Sequence, residues 1–380
     1  MDVTSRYSAE TKRLDCGNSV KILITTGIYP PDIGGPATFT VAFTRWLESH
    51  GHIWRVITLW DRKKFEANLT NLFFPRSRIR ILRFISVSRS VFKQLTNSDF
   101  LLATGLHEEA AVALRFKKKK SIARIVGDPV WERATNSNRT DLSLVDFQNS
   151  KLDLKSKLQR KLLVWSLNQY STIMCPSIEL CELVENWGVI RPLRFIPNGI
   201  KILEPEHTLK IYDLIVVSRL VKWKNVDQVL EVGKDLNLKI LIIGDGPEMQ
   251  SLQKISESLS IRVDFLGEIS QTEVRKWMQK SRIFVQISSY EGLSFSLLQA
   301  MEAGVPCVIS DIPGNAQVAQ SGKEAIFVEL NNKSKLRDSI HEVLVNSELA
   351  ASLTNNARAR ISQTFNEEIQ FRRIVQELLE

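Results

Sequence analysis

Short apolar runs alternate with stretches of helical spacing along this chain, and that alternation leaves few folds open. In the second half the runs are Ile211–Ser218, Leu238–Ile243, Val263–Leu266, Ile283–Ile287, Pro306–Ser310 and Ala325–Val328. Between them, Asn225–Leu236, Glu248–Leu259, Thr272–Lys280 and Ser294–Ala303 carry apolar residues at helical spacing. Runs this short and this apolar predict strands buried on both faces, the condition of a parallel sheet covered by helices. The first half opens the same way. Val20–Thr26 is apolar, Gly27–Pro36 is rich in Gly and Pro, and Ala37–Ser49 is helical in pattern. Gly51 can end that helix, and Ile53–Leu59 reads as the next strand. Strand, loop, helix, strand is the start of a doubly wound α/β sheet.

A chain of 380 residues exceeds the usual size of one hydrophobic core, which predicts two domains. Turn chemistry in Ile196-Pro-Asn-Gly-Ile200, followed by a polar stretch with Pro205, puts the joint there. Four cysteines are present (Cys16, Cys175, Cys181 and Cys307), with no CxxC pair and no His/Cys cluster at metal-ligand spacing. No metal site is expected, and a reduced, cytoplasmic protein is. Met1–Val20 lacks the apolar run of a secretory signal, and no stretch has the length and apolarity of a spanning helix.

Charge is unevenly spread. Residues 1–200 hold 30 Lys/Arg against 18 Asp/Glu, a balance of +12; residues 201–380 hold 21 against 24, a balance of −3. The basic half should attract an anion: a lipid headgroup, a pyrophosphate-linked acceptor or nucleic acid. Arg76, Arg78, Arg80 and Arg83 precede an apolar-faced segment, and Leu154, Leu158 and Leu162 recur at helical spacing among lysines. Both segments read equally as surface helices or as faces that dock on an anionic membrane. Nucleic acid binding would rest on charge alone, because no recognised module is present.

Two stretches carry chemistry. Ser288-Ser-Tyr-Glu-Gly-Leu-Ser-Phe295 leaves a buried strand and opens a helix. The amides near Leu293, Ser294 and Phe295 lack helical partners and suit a phosphate, and Gly292 permits close backbone approach. Glu291 stands before this helix and Gln299 two turns along it, so both can face one cleft; the plainer reading of Glu291 is a helix cap. Val217-Ser-Arg-Leu-Val-Lys-Trp-Lys-Asn225 also leaves a strand and enters a helix. Arg219 and Lys224 lie at the carboxyl end of that strand, where doubly wound sheets bind ligands. Two cations and a helix N-terminus can hold a diphosphate without a metal. Gly244-Asp-Gly246-Pro247 makes a tight turn on the same edge. Gly34-Gly35 reads either as a turn or as a donor-phosphate contact. Asp128, before Pro129, reads either as a turn former or as a catalytic contact.

These stretches, in this order and spacing, resemble the family 4 retaining glycosyltransferases of the GT-B fold. The resemblance runs from Val20 nearly to the end. It takes in Pro30-Pro-Asp-Ile-Gly-Gly35, Pro197-Asn-Gly199, Ser218-Arg-Leu220 with Lys224-Asn225, Gly244-Asp-Gly-Pro247, Phe265-Leu-Gly267 and Glu291-Gly-Leu293. It implies an α/β architecture of two facing Rossmann-like domains, the donor bound mainly by the second, and a C-terminal helix crossing back to the first. The expected limits are a polar extension over 1–19, a first domain over 20–200 joined by a helix at 366–380, and a second domain over 201–365. It also implies sugar transfer from a nucleotide-diphosphate donor, without cofactor or metal, to a saccharide or lipid-linked acceptor. Glu291, Arg219, Lys224 and Asp128 would form the catalytic set. Gly35, Gly244, Gly246, Gly292, Leu293, Ser294, Phe295 and Gln299 would bind the donor. The chain departs from the family pattern at three positions: Gln299 and Gln317 stand where the family favours acids, and Val126 where many members have a His. They keep open the alternative of a weakened nucleotide-sugar-binding or membrane scaffold protein with the same fold.

Overall fold

A computed structural model describes residues 19–32, 34–60, 71–76, 79–137, 139–204 and 208–380. The N-terminal extension, Cys16, Arg78, Pro205 and His207 lie outside the described residues, apart from residue 19. The chain forms two compact units. One runs up to Pro197 and takes in Phe371–Glu380; the other is Asn198–Gln370. The division falls inside the Ile196–Ile200 turn.

Within the first unit the strands are β1 (Lys21–Thr26), β2 (Ile53–Trp60), β3 (Asn71–Pro75), β4 (Phe100–Ala103), β5 (Lys120–Arg124), β6 (Thr172–Cys175) and β7 (Leu193–Phe195). Its helices are α1 (Gly35–Ser49), α2 (Arg80–Leu95), α3 (His107–Phe116), α4 (Pro129–Asn136), α5 (Leu144–Asn149), α6 (Leu154–Leu167) and α7 (Ile178–Asn186). The strands pair in parallel in the order β3-β2-β1-β4-β5-β6-β7. Helix α1 begins at Gly35-Pro36, earlier than its apolar spacing predicts, because proline suits the first turn, where no N–H is needed.

The second unit contains β8 (Tyr212–Val217), β9 (Lys239–Ile243), β10 (Arg262–Phe265), β11 (Ser281–Gln286), β12 (Cys307–Ser310) and β13 (Ile326–Val328). Its helices are α8 (Val226–Asp235), α9 (Met249–Leu259), α10 (Gln271–Gln279), α11 (Phe295–Glu302), α12 (Pro313–Ala316), α13 (Lys333–Val345) and α14 (Ser347–Thr364). The strand order is β10-β9-β8-β11-β12-β13, again parallel. Alternate residues of one strand enter different cores. Leu214 and Val216 pack with Ile240, Ile242 and Val285 on one face. Ile215 packs with Leu241, Phe284 and Ile309 on the other. A two-residue period with apolar residues at both phases is the mark of a sheet covered on both sides.

Helix α15 (Glu367–Leu379) starts in the second unit and, from Phe371 onward, belongs to the first. In the first unit the buried Phe371 ring packs 5.3 Å from Phe43 and 5.8 Å from Phe39, and Glu377 accepts from Thr172 and from Arg194. In the second unit Ile200 N–H donates to Phe365 O at 2.7 Å, and Glu367 N–H to Ile200 O at 3.1 Å. A side chain at Gly199 would meet Glu367 Cα at 2.5 Å, so Pro197-Asn-Gly199 is a backbone clamp on the end of the chain as well as a turn. Among the described residues no helix is long and apolar enough to cross a membrane.

Candidate active site

Each sheet reverses its winding between its first and fourth strands, and ligands bind doubly wound sheets at the carboxyl ends of the strands flanking that point. In the second unit these strands are β8 and β11. The loops that follow them are Ser218–Asn225 and Ile287–Ser294, the two stretches singled out from sequence. They are sewn together. Asn225, in the left-handed region at φ 47°, points its amide at Ile287 O (2.8 Å) and Ser289 Oγ (2.9 Å). Ser289 N–H donates to Trp223 O at 2.8 Å.

Glu291 sits at the meeting point of the two loops. Its Oε1 accepts from Lys224 Nζ, from Gln286 Nε2 at 2.5 Å and from Ser288 Oγ at 2.7 Å. Its Oε2 has no hydrogen-bond partner among the described residues. Glu291 does not cap α11; that task falls to Ser294, whose Oγ accepts from Leu297 N–H and Gln286 Nε2. The amides of Gly292, Leu293, Ser294, Phe295 and Ser296 have no backbone acceptor among the described residues, which leaves a row of donors at the start of α11. Arg219 is exposed, and its guanidinium is unpaired among the described residues. Gln299 is half-buried and donates its amide to Gln271, leaving its carbonyl free to accept.

Gly244 and Gly246 serve this edge through packing. A side chain on Gly244, at φ 131°, would meet Ser218 O at 1.9 Å, and one on Gly246 would meet Leu220 O at 2.2 Å. Leu220 N–H donates to Asp245 O and Glu248 N–H to Leu220 O, so the β9 loop braces the β8 loop. Gly314, given no site role from the sequence, does the same for Glu291: a side chain there would lie 2.0 Å from Glu291 O. Gln286 escapes a sequence reading, because at a buried strand end it looks like a polar interruption, and within its stretch Ser288 is given no role of its own. Their role appears only when both reach one carboxylate oxygen. Replacing Gln286 by Leu should lower turnover by about tenfold, since a hydrogen bond to a charged group contributes roughly 1.5–3 kcal/mol. Steady-state rates beside an unchanged melting curve would verify this; undiminished turnover would show that Lys224 and Ser288 suffice.

Two of the expected site residues lie in the first unit. Gly35 opens α1 behind Gly34. Asp128 is not an open catalytic group, and here the structure corrects the sequence. Its carboxylate is fully buried and caps α4, with Oδ1 accepting from Val130 and Trp131 amides and Oδ2 from Gln148 and Arg160. Arg160 in turn lies 4.0 Å over the Trp187 ring, and Trp187 Nε1 donates to Gln148 Oε1. Every direction of approach to Asp128 is filled, so the turn-forming reading stands. Val126 is exposed after β5. Nearby, His107 at the start of α3 points Nε2 at Arg124 O, 3.2 Å away, and burial lowers its pKa so that the ring is neutral at pH 7. Arg76 and Arg83 are likewise engaged: Arg76 pairs with Asp32 and reaches Gly27 O, and Arg83 donates to Arg76 O. They tie down the loop after β1 and do not form a free cationic face. Among the described residues no group of acids, histidines or cysteines is arranged to hold a metal ion.

Comparison with known proteins agrees with this architecture. The profile described as Glycosyl transferases group 1 matches residues 204–360, and that described as Glycosyltransferase Family 4 matches residues 33–202. An uncharacterized glycosyltransferase of Methanocaldococcus jannaschii is 26% identical over 91% of this chain and 95% of its own. The N-acetyl-alpha-D-glucosaminyl L-malate synthase of Bacillus anthracis is 29% identical, over 41% of this chain and 42% of its own length. Among solved structures, Anabaena HepE in complex with UDP and glucose superposes with a TM-score of 0.76 at 16% identity, covering 94% of this chain and 99% of that one. TarM of S. aureus superposes at 0.74 and 13% identity, covering 95% and 100%. With the two profiles in tandem over both α/β units, and a GT-B architecture throughout, the chain belongs to the family 4, group 1 glycosyltransferases.

Proposed function

We propose that the protein transfers a hexosyl group, with retention of configuration, from a nucleotide-diphosphate donor to a saccharide or lipid-linked acceptor in the synthesis of surface polysaccharide or glycolipid. One observation carries this reading: Glu291 is held at one oxygen by Lys224, Gln286 and Ser288, with the other free, on the sheet edge that also carries Arg219 and the unpaired amides at the start of α11. Oε2 can accept from hydroxyls of the donor sugar. The amides and the two cations suit the diphosphate. As the bond from the anomeric carbon to the phosphate oxygen breaks, negative charge grows on the leaving diphosphate. Fixed cations stabilise that charge more in the transition state than in the ground state. The acceptor hydroxyl attacks from the same face and passes its proton to the departing phosphate oxygen. The products are a glycoside and a nucleoside diphosphate, and no protein nucleophile is consumed. Two of the structures similar in fold are described as complexes with UDP, which supports a nucleotide donor.

Neither a metal nor a cofactor is required by this scheme, because Lys224, Arg219 and the helix amides supply the positive charge. Activity should therefore persist in excess chelator. A loss on chelation that magnesium restores would overturn the charge assignment.

Gln299 in place of an acid favours a second reading, a protein that binds nucleotide sugars but turns them over weakly. Thermal shift with a panel of nucleotide sugars identifies the donor, since a ligand of the folded state raises its stability. Transfer or hydrolysis of that donor then separates enzyme from binder.

A further inference from the structure

Helix α6 is apolar on its outer face as well as on its inner one. Ser156, Leu163, Ser166 and Leu167 face the protein interior. On the opposite side Leu154 is 85% exposed, Leu158 69%, Leu162 46% and Trp165 39%. At 100° per residue these four fall within an arc of about 80°. Lys155 and Lys161 flank the arc on either side, with Lys157 just beyond, and all three are exposed. The acid on this helix, Asp153, is occupied by Arg139 and by the Ser156 amide. A soluble helix normally buries its largest apolar side chains and exposes its serines. Leu163 and Leu167 already fill the inner face, so the outer stripe is apolar surface in excess of what the core of this unit takes up.

We infer that the α6 face is a docking surface for an anionic lipid bilayer. An apolar stripe of Leu and Trp flanked by lysines is the pattern that seats a helix in the plane of a membrane surface, with the stripe among the acyl chains and the ammonium groups at the phosphates. Charge selects this occupant over a second copy of the chain. A two-fold contact through α6 would bring its lysines against one another, and four side chains cover less area than a stable dimer needs. The basic excess of residues 1–200 adds long-range attraction to the same leaflet. Combined with the proposed transferase reading, on which this last step rests, the surface would bring the enzyme to a lipid-linked acceptor.

Co-sedimentation of the full chain with vesicles tests the docking. On phosphatidylcholine containing about one third phosphatidylglycerol, the bound fraction should exceed that on phosphatidylcholine alone by about tenfold, and salt should lower it. Leu158→Ser with Leu162→Ser should reduce binding to anionic vesicles by about tenfold, and Lys155→Gln with Lys161→Gln should abolish the preference for anionic lipid. These residues are exposed, so melting curves and donor-induced thermal shifts should match the unmodified chain. Equal partitioning to neutral and anionic vesicles would overturn the proposal. So would full binding by the leucine variant, or a dimer in light scattering that this variant dissolves. The donor shift is read without vesicles; its failure counts against the transferase reading and leaves docking standing.

Discussion

Glu291→Gln should lower turnover by at least about tenfold, and by as much as about a thousandfold, while the protein remains folded. The substitution keeps the shape but removes the charge that Lys224, Gln286 and Ser288 converge upon. Each factor of ten corresponds to about 1.4 kcal/mol of lost transition-state stabilisation, and one well-placed electrostatic group commonly supplies about 2.7–4 kcal/mol. Arg219→Ala should lower turnover to a similar degree for a different reason: its exposed guanidinium, unpaired among the described residues, is available for the leaving diphosphate. The loss in both variants should fall chiefly on kcat, because the proposed reaction has both groups act where charge moves. Steady-state kinetics on the donor found by thermal shift would decide it. Near-normal kcat in both variants would remove the loops after β8 and β11 from the reaction.

Asp128→Asn should do the reverse, unfolding the protein more readily while sparing catalysis. The amide presents N–H groups to Arg160 and Gln148, which are themselves donors, and leaves the Arg160 charge without its partner. Arg160 is largely buried against Trp187, so water cannot replace the carboxylate. Breaking a buried pair of this kind costs about 3–5 kcal/mol. In a unit of this size that is a fall in melting temperature of roughly ten degrees. Turnover per folded molecule should stay within about threefold of normal. A variant with normal melting and abolished turnover would return Asp128 to the catalytic set.

Strands such as Tyr212–Val217 and Lys239–Ile243, and helices such as Val226–Asp235, fall within a residue or two of where their periodicity puts them. Periodicity is a property of neighbouring residues, and a sheet covered on both sides writes it plainly. The positions of Glu291, Arg219 and Lys224 were visible for the same reason. Each lies in a loop between a strand and a helix whose ends can be located from sequence, and parallel pairing brings such loops to one edge.

What the sequence could not decide was what each side chain meets there. Asp128 before a proline is one string of letters whether it faces a substrate or a buried arginine. The structure decided it through Gln148 and Arg160, 20 and 32 residues further along. Arg76 looked like part of a basic surface until folding placed Asp32 beside it, 44 residues away. The leucines of α6 carried a helical period that fitted a surface helix or a docking face alike, and only the tertiary packing showed Leu163 and Leu167 turned in with Ser156 and Ser166 while Leu154, Leu158 and Leu162 stayed out. In each case the backbone was legible because local steric and hydrophobic patterns determine it. The partners were not, because hydrogen-bond and ion-pair energies depend on which distant groups arrive and how completely they exclude water.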